Sequence, residues 1–217
     1  MYLQRYHEVT LSPSGIWRIL NKVGMSKFPA SQHYKRKETR WKRYEKQRPG
    51  HQLQVEVKFI EPLGQTGTKR RFYQDTAIDG CTQLRVLRAY LKHNQQTAIQ
   101  FIDHVLSNLP FKVDRVQTDN GKEFGQVFHW HVSDKGIEHV YIRPATLRLN
   151  GKVERSHRID TEEFCRLLEG QIIDDANLFT DKLQEWEDYY NFDRPHGALG
   201  GTTSYERLKQ KTIDPLS

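Results

Sequence analysis

Long apolar runs are missing from this chain. No stretch approaches the 20 or so consecutive apolar residues that a membrane-spanning helix needs. Met1 is not followed by a basic segment leading into an apolar run, so no secretory signal is expected. Cysteine is scarce: Cys81 and Cys165 are the two present, and neither has a Cys-x-x-Cys partner. That excludes a disulfide framework or a cysteine-rich zinc site and points to two reduced structural thiols in a reducing cytoplasm. Internal repeats and low-complexity segments are absent too. Acidic residues are sparse at the amino terminus, where residues 1–50 hold 3 Asp/Glu against 12 Lys/Arg. Residues 51–217 hold 24 against 22. All of the excess positive charge therefore sits in the first quarter. This is the footprint of a nucleic-acid-binding arm ahead of a near-neutral domain; the alternative is a solubilising basic tail.

Residues 12–24 read as a helix. Ser12 suits the N-cap, Pro13 the first helical position and Gly24 the stop. Ile16, Ile19, Leu20 and Val23 form one apolar stripe. Trp17, Arg18, Asn21 and Lys22 lie opposite and fit the recognition helix of a helix-turn-helix, for which an ordinary amphipathic surface helix is the alternative. Only Met1 to Glu8 precede it, so the module is expected to be partial. Residues 33–48 then interleave Lys35, Arg36, Lys37, Arg40, Lys42 and Arg43 with Tyr34, Trp41 and Tyr44, pairing phosphate-neutralising cations with aromatics. Pro49-Gly50 breaks the pattern and marks the expected boundary between a basic DNA-binding arm, 1–48, and a core, 49–217.

Beyond it the periodicity becomes that of strands. Leu53, Val55, Val57 and Phe59 alternate with polar residues; Arg71 to Ile78 and Leu84 to Tyr90 follow as two more strands of an antiparallel meander. Thr97 to Leu109 reads as a helix, Val113 to Thr118 as a strand, then a helix, the strand Ile137 to Ile142, and the helices Asn150 to Leu168 and Asp175 to Tyr190. The order βββαβαβαα predicts an α/β domain, a mixed sheet with flanking helices.

Three acids fall where this layout gathers strand ends and a helix. Asp119 ends a strand just before the turn dipeptide Asn120-Gly121. Glu154 opens a helix whose buried face is expected to carry Val153, His157, Phe164 and Leu168, which leaves Glu154 accessible. Glu56 lies in the first strand. Converging carboxylates suit Mg²⁺, and two such ions serve phosphoryl transfer. Taken singly, each acid is more often a solvated surface residue.

Residues from about Pro49 to Leu208 resemble the integrase catalytic core shared by insertion-sequence transposases and retroviral integrases. The resemblance rests on Thr118-Asp119-Asn120-Gly121 with Glu123-Phe124, on Pro144 through Asn150-Gly151-Lys152-Val153-Glu154-Arg155, and on the tail Tyr190-Asn191 with Arg194-Pro195-His196. Asp119 and Glu154 stand 35 apart, the spacing of the D,D-35-E signature. The resemblance implies an RNase-H-like fold with Glu56, Asp119 and Glu154 as catalytic metal ligands for two Mg²⁺ or Mn²⁺ ions. It also implies cut-and-join chemistry on double-stranded DNA, at element ends and target, by a homo-oligomer, with a nucleoid-associated location. Glu56 departs from the family, which has aspartate there. Asp75 and Asp79 are weighed as substitutes, with strand-end or turn roles preferred.

Lys152, Arg155 and Arg158 share the Glu154 helix, and DNA phosphates or solvent are equal expectations for them. His129 and His131 are two apart on a helix and point away from each other, so packing or a place near DNA is expected rather than metal ligation. The readings carried forward are an active transposase and a DNA-binding remnant that has lost catalysis. A nuclease of RNA–DNA hybrids shares the fold but not the basic arm.

Overall fold

A computed structural model describes residues 2–26, 45–61, 71–142, 151–168, 173 and 175–213. The chain divides into two compact units, Met1–Tyr44 and Glu45–Ser217. In the first, α1 spans Tyr2–His7 and α2 spans Pro13–Lys22. Ser12 caps α2 as expected, its hydroxyl accepting from the Gly15 amide at 3.1 Å. No residue of α2 is buried, and Trp17, Ile19 and Val23 are all more than half exposed. Lys35, Arg36, Lys37, Arg40, Lys42 and Arg43 lie outside the described residues.

The second unit is a five-stranded sheet in the order β3-β2-β1-β4-β5. The strands are β1 Leu53–Ile60, β2 Phe72–Asp79, β3 Arg85–Tyr90, β4 Arg115–Thr118 and β5 Glu138–Tyr141. The meander β1–β2–β3 is antiparallel, and β4 and β5 add in parallel, so the mixed sheet expected from the element order is what forms. The helices are α3 Gln95–Asn108, α4 Gln126–Asp134, α5 Gly151–Ile159, the short α6 Cys165–Leu167, α7 Ala176–Asp188 and α8 Ser204–Ile213. Strand alternation divides the side chains into two cores. Val55, Ala77, Val86 and Val116 pack with Phe101, Ile102 and Val105 of α3 and Phe128 and Val132 of α4. Phe72, Leu87 and Ala89 face the other way, against Phe164, Phe179, Leu183 and Trp186.

Of the helix expected over Asn150 to Leu168, Asn150 lies outside the described residues, and the rest forms with one alteration. Between α5 and α6, Asp160–Phe164 is a π turn. Ser156, Asp160, Phe164 and Leu168, spaced by four, are all buried. An α-helix advances about 100° per residue, so a repeat of four drifts about 40° at each step. The wider π turn offsets that drift and keeps all four against the sheet. The tail shows a second π turn, Tyr189–Asp193, which buries Tyr190 and Asn191.

Gly50 lies inside the second unit, at the entry to the sheet. Its φ is +75°, and a Cβ there would meet the Lys112 carbonyl oxygen at 1.9 Å. The Pro49-Gly50 break is therefore a tight crossing that only glycine fits.

Candidate active site

The sheet register brings the first two acids level. β1 pairs with β4 in parallel through Leu53↔Val116 and Gln54↔Gln117. Continued two residues past the last pair, the same register sets Glu56 beside Asp119. Gln54, Glu56 and Lys58 share the face toward α5: the Gln54 side chain accepts from the Val153 amide, and the Lys58 amine donates to the His157 carbonyl at 3.2 Å. Glu154 is exposed in the first turn of α5 while Val153 beneath it is fully buried, the division expected from the helix pattern.

The three acids interact electrostatically. Burial raises the pKa of Glu56 to about 7, aided by repulsion from Glu154 and then Asp119, while Lys58 opposes. A carboxyl that resists ionising because it is buried, with two other carboxylates adding repulsion, gains from a cation, and the oxygen donors are those a hard divalent cation takes. Among the described residues, however, no three His, Cys, Asp or Glu side chains are closed into a ligating arrangement. The Glu56 carboxylate lies instead 3.7 Å from His157 Nδ1. That contact is not an ion pair: burial, and then Lys58, drives the His157 pKa down to about 3, so the ring is neutral. Asp119 is held locally, its Oδ1 accepting from the Gly121 amide at 2.9 Å.

The two other acids weighed for the site lie elsewhere. Asp75 pairs in register with Val57, so its side chain is on the face away from Glu56. The Asp79 carboxylate caps a turn, accepting from the amides of Gly50, Cys81 and Thr82 and from the Thr82 hydroxyl. Asp75 supplies a separate prediction. Burial, and then Glu123, lifts its pKa from 3.8 to about 8. A raised carboxyl favours folding below pH 4 and loses that contribution as pH climbs toward 8. Asp75→Asn should therefore stabilise the protein by up to about 5 kcal/mol at pH 8, at ~1.4 kcal/mol per pKa unit, and leave it unchanged near pH 4. Urea unfolding at the two pH values checks this; equal effects at both would sink it.

Of the three cations on the Glu154 helix, Arg155 is exposed, Arg158 is 2.7 Å from Glu162, and the Lys152 amine is half-buried and donates to the Gly80 carbonyl. His129 and His131 diverge as expected, toward His139 and toward Asp103. Cys81 and Cys165 are free thiols.

Sequence reasoning missed a buried polar layer beneath α5. Arg85, fully buried, donates from Nη1 to Ser156 Oγ at 2.9 Å and to Asp160 Oδ1 at 2.7 Å, and its guanidinium lies 3.5 Å from the centre of the Tyr190 ring. Trp186 Nε1 also donates to Asp160 Oδ1, and Gln74 to Oδ2. Asn191 clasps the backbone of Arg85 on both sides, accepting from its amide and donating to its carbonyl. Arg194 grips Glu163 with two hydrogen bonds. The Tyr190-Asn191 and Arg194 tail thus fastens the π turn below the Glu154 helix to β3. One signal was available: Arg85 occupies an inward position of an alternating strand.

The sheet order, the carboxylates and the helix behind them can now be set beside known proteins. Residues 135–203 match the family model described as the integrase core domain. A chain of the simian T-cell lymphotropic virus intasome in complex with the PP2A regulatory subunit B56γ superposes with a TM-score of 0.67 at 15% identity. That match covers 80% of this chain and 59% of that one. The catalytic core of HTLV-2 integrase, in its magnesium-bound dimeric form, gives 0.59 at 18% identity over 74% of this chain and 97% of its own. The core of BIV integrase gives 0.58 at 16%, over 76% and 97%.

The fold is that of an integrase catalytic core.

In sequence, the chain is 27% identical over 180 residues to the integrase candidate ORF3 of Spiroplasma virus SpV1-C74, with 74% of this chain covered. It spans about half the length of that curated relative, 48%. Among the described residues no helix of this integrase-like chain is long and apolar enough to cross a membrane.

Proposed function

We propose that the protein is a DNA transposase of the integrase type, which cleaves DNA at insertion-sequence ends and joins the freed 3′ ends to target DNA. One observation carries the reading: the β1–β4 register sets Glu56 beside Asp119, with Glu154 close enough to help raise the Glu56 pKa. Glu56, Asp119 and Glu154 would hold Mg²⁺ or Mn²⁺, two ions in the full site. When bound, such ions supply positive charge to the attacking and leaving oxygens of phosphoryl transfer. The chain's own part is to present carboxylates from a strand, a strand end and a helix. Arg155, beside Glu154 and exposed, is placed to meet the incoming phosphate, with Arg158 one turn on. Magnesium in the HTLV-2 core and an intasome among the similar structures support this reading and action as a multimer on DNA. Strand cleavage and joining on a duplex carrying element ends, with Mg²⁺ present, tests it. Asp119→Asn and Glu154→Gln should each abolish turnover; activity surviving in either removes that residue from the site.

A second reading, a DNA-binding relative that has lost catalysis, is favoured by the Glu56 carboxylate resting near His157. Both readings require the basic arm to bind DNA. Trp17, Arg18, Asn21 and Lys22 on α2 and the cations of residues 35–43 are the proposed contacts. Binding to duplex DNA should weaken steeply with salt, each neutralised phosphate adding roughly 0.9 to the slope of log K against log salt. Deleting residues 1–48 should flatten that slope. An unchanged slope would reduce the arm to a solubilising tail.

A further inference from the structure

Behind Asp119 runs a line of hydrogen bonds that the proposed reaction does not use. The Thr118 hydroxyl donates to the Asp119 carbonyl at 2.9 Å. The same hydroxyl lies 2.9 Å from His139 Nε2 on the neighbouring strand. His139 Nδ1 in turn lies 3.1 Å from Nδ1 of His129 on α4. Thr118 and His139 are buried. A hydroxyl has one proton; we assign it to the Asp119 carbonyl, which makes His139 Nε2 the donor to Thr118. His139 is then the Nε2–H tautomer, and its Nδ1 accepts from Nδ1–H of His129. Burial, and then the neighbouring His129, holds the His139 pKa down at about 4, which keeps that ring neutral. Every donor in the line finds one acceptor, and all run in one direction: His129, His139, Thr118, Asp119. Aromatic packing fixes the rings, with His139 5.1 Å from Phe128 and 4.4 Å from Tyr141 between centroids.

We propose that His139 and Thr118 are positioning residues that lock the end of β4, and through it the Asp119 carboxylate, in the pose the site needs. β4 ends at Thr118. Just beyond it Ile142, at the end of the neighbouring strand, holds both sides of Asp119: its amide donates to the Thr118 carbonyl and its carbonyl accepts from the Asn120 side chain. The bonds of Asp119 itself are local among the described residues, its carboxylate accepting from the Gly121 amide and its carbonyl from Thr118. Without the hydroxyl, the Asp119 peptide loses the bond that fixes its rotation, and the carboxylate direction follows that rotation. This rests on the reading of Asp119 as a metal ligand.

The test uses the full chain, Mn²⁺ alone as the probe, and paramagnetic resonance of the free ion as the readout, with unfolding followed in parallel. Thr118→Val keeps the shape and removes the hydroxyl; Thr118→Ser keeps the hydroxyl. His139→Leu removes the donor; His139→Gln restores one near Nε2. Thr118→Val and His139→Leu should weaken Mn²⁺ binding about tenfold or more, as loss of a group that orients a ligand does. Thr118→Ser and His139→Gln should recover most of it, and Thr118→Val should add no further loss to Asp119→Asn. Unaltered binding in Thr118→Val, or equal losses in the Val and Ser variants, overturns the proposal while leaving Asp119 a ligand. If Asp119→Asn itself binds Mn²⁺ normally, it is the metal reading that fails. Hydrogen exchange at the Gly121 amide, which reports the Asp119 carboxylate directly, then decides: faster exchange in Thr118→Val supports the lock, and unchanged exchange overturns it.

Discussion

Asp160→Ala should lower the stability of the protein by about 3–5 kcal/mol, the cost of removing one partner of a buried ion pair. Both charges of the Arg85–Asp160 pair are fully buried, 2.7 Å apart. Among the described residues, Nε and Nη2 of Arg85 already lack hydrogen-bond partners, and none stands ready to replace the carboxylate. Removing Asp160 also strands Trp186 Nε1 and the Gln74 amide. Asp160→Asn, which keeps an acceptor but not the charge, should cost less than the alanine variant. Urea unfolding followed by Trp186 fluorescence measures both. A loss below about 1 kcal/mol, the scale of a surface pair, would show that the layer contributes nothing beyond packing. The pH dependence has a definite sign. Burial pushes the Asp160 pKa up, but Arg85, Lys58 and the hydrogen bonds from Trp186 and Gln74 outweigh it and hold it at about 2. A depressed carboxylate contributes stability above its unfolded value of 3.8 and loses it as pH falls toward 2. The wild-type protein should lose stability across that window, and Asp160→Ala should lose less.

Glu56→Asp should raise strand-cleavage and strand-transfer activity, by up to about 100-fold. Misplacement of a reacting group by roughly an ångström carries a penalty of that order. The Glu56 carboxylate lies 3.7 Å from His157 Nδ1 on α5. Shortening the side chain withdraws it toward the strand and toward Asp119. Cation binding and turnover should separate, because a Glu oxygen can still take a cation while in-line transfer demands tighter geometry. Cleavage assays in Mg²⁺ and then Mn²⁺ compare the two proteins. Equal turnover in Mg²⁺ would show that the site accommodates glutamate. No turnover from either would favour the non-catalytic DNA-binding reading.

The sequence alone determined what periodicity and turn chemistry can determine. Alternation in β1 placed Val55 and Val57 on the side opposite Glu56. Asn120-Gly121 ended β4 at the right residue, and the helix pattern exposed Glu154 over a buried Val153. Ser12 capped α2. Local sequence encodes these because each depends on which way neighbouring side chains point along one element. Boundaries moved by a residue or two where a cap lay just upstream: α3 starts at Gln95 because Asn94 and Thr97 form a capping box. Tertiary structure alone decided what meets what. No spacing rule predicts that Arg85, on an inward strand position, finds Asp160 seventy-five residues later, or that His139 reaches Thr118 across a parallel pair. Those partners are chosen by register and by the burial of charges that must be paired once water is gone. The π turn has the same origin: the sheet demands one continuous buried face from a four-residue repeat that an α-helix would twist away.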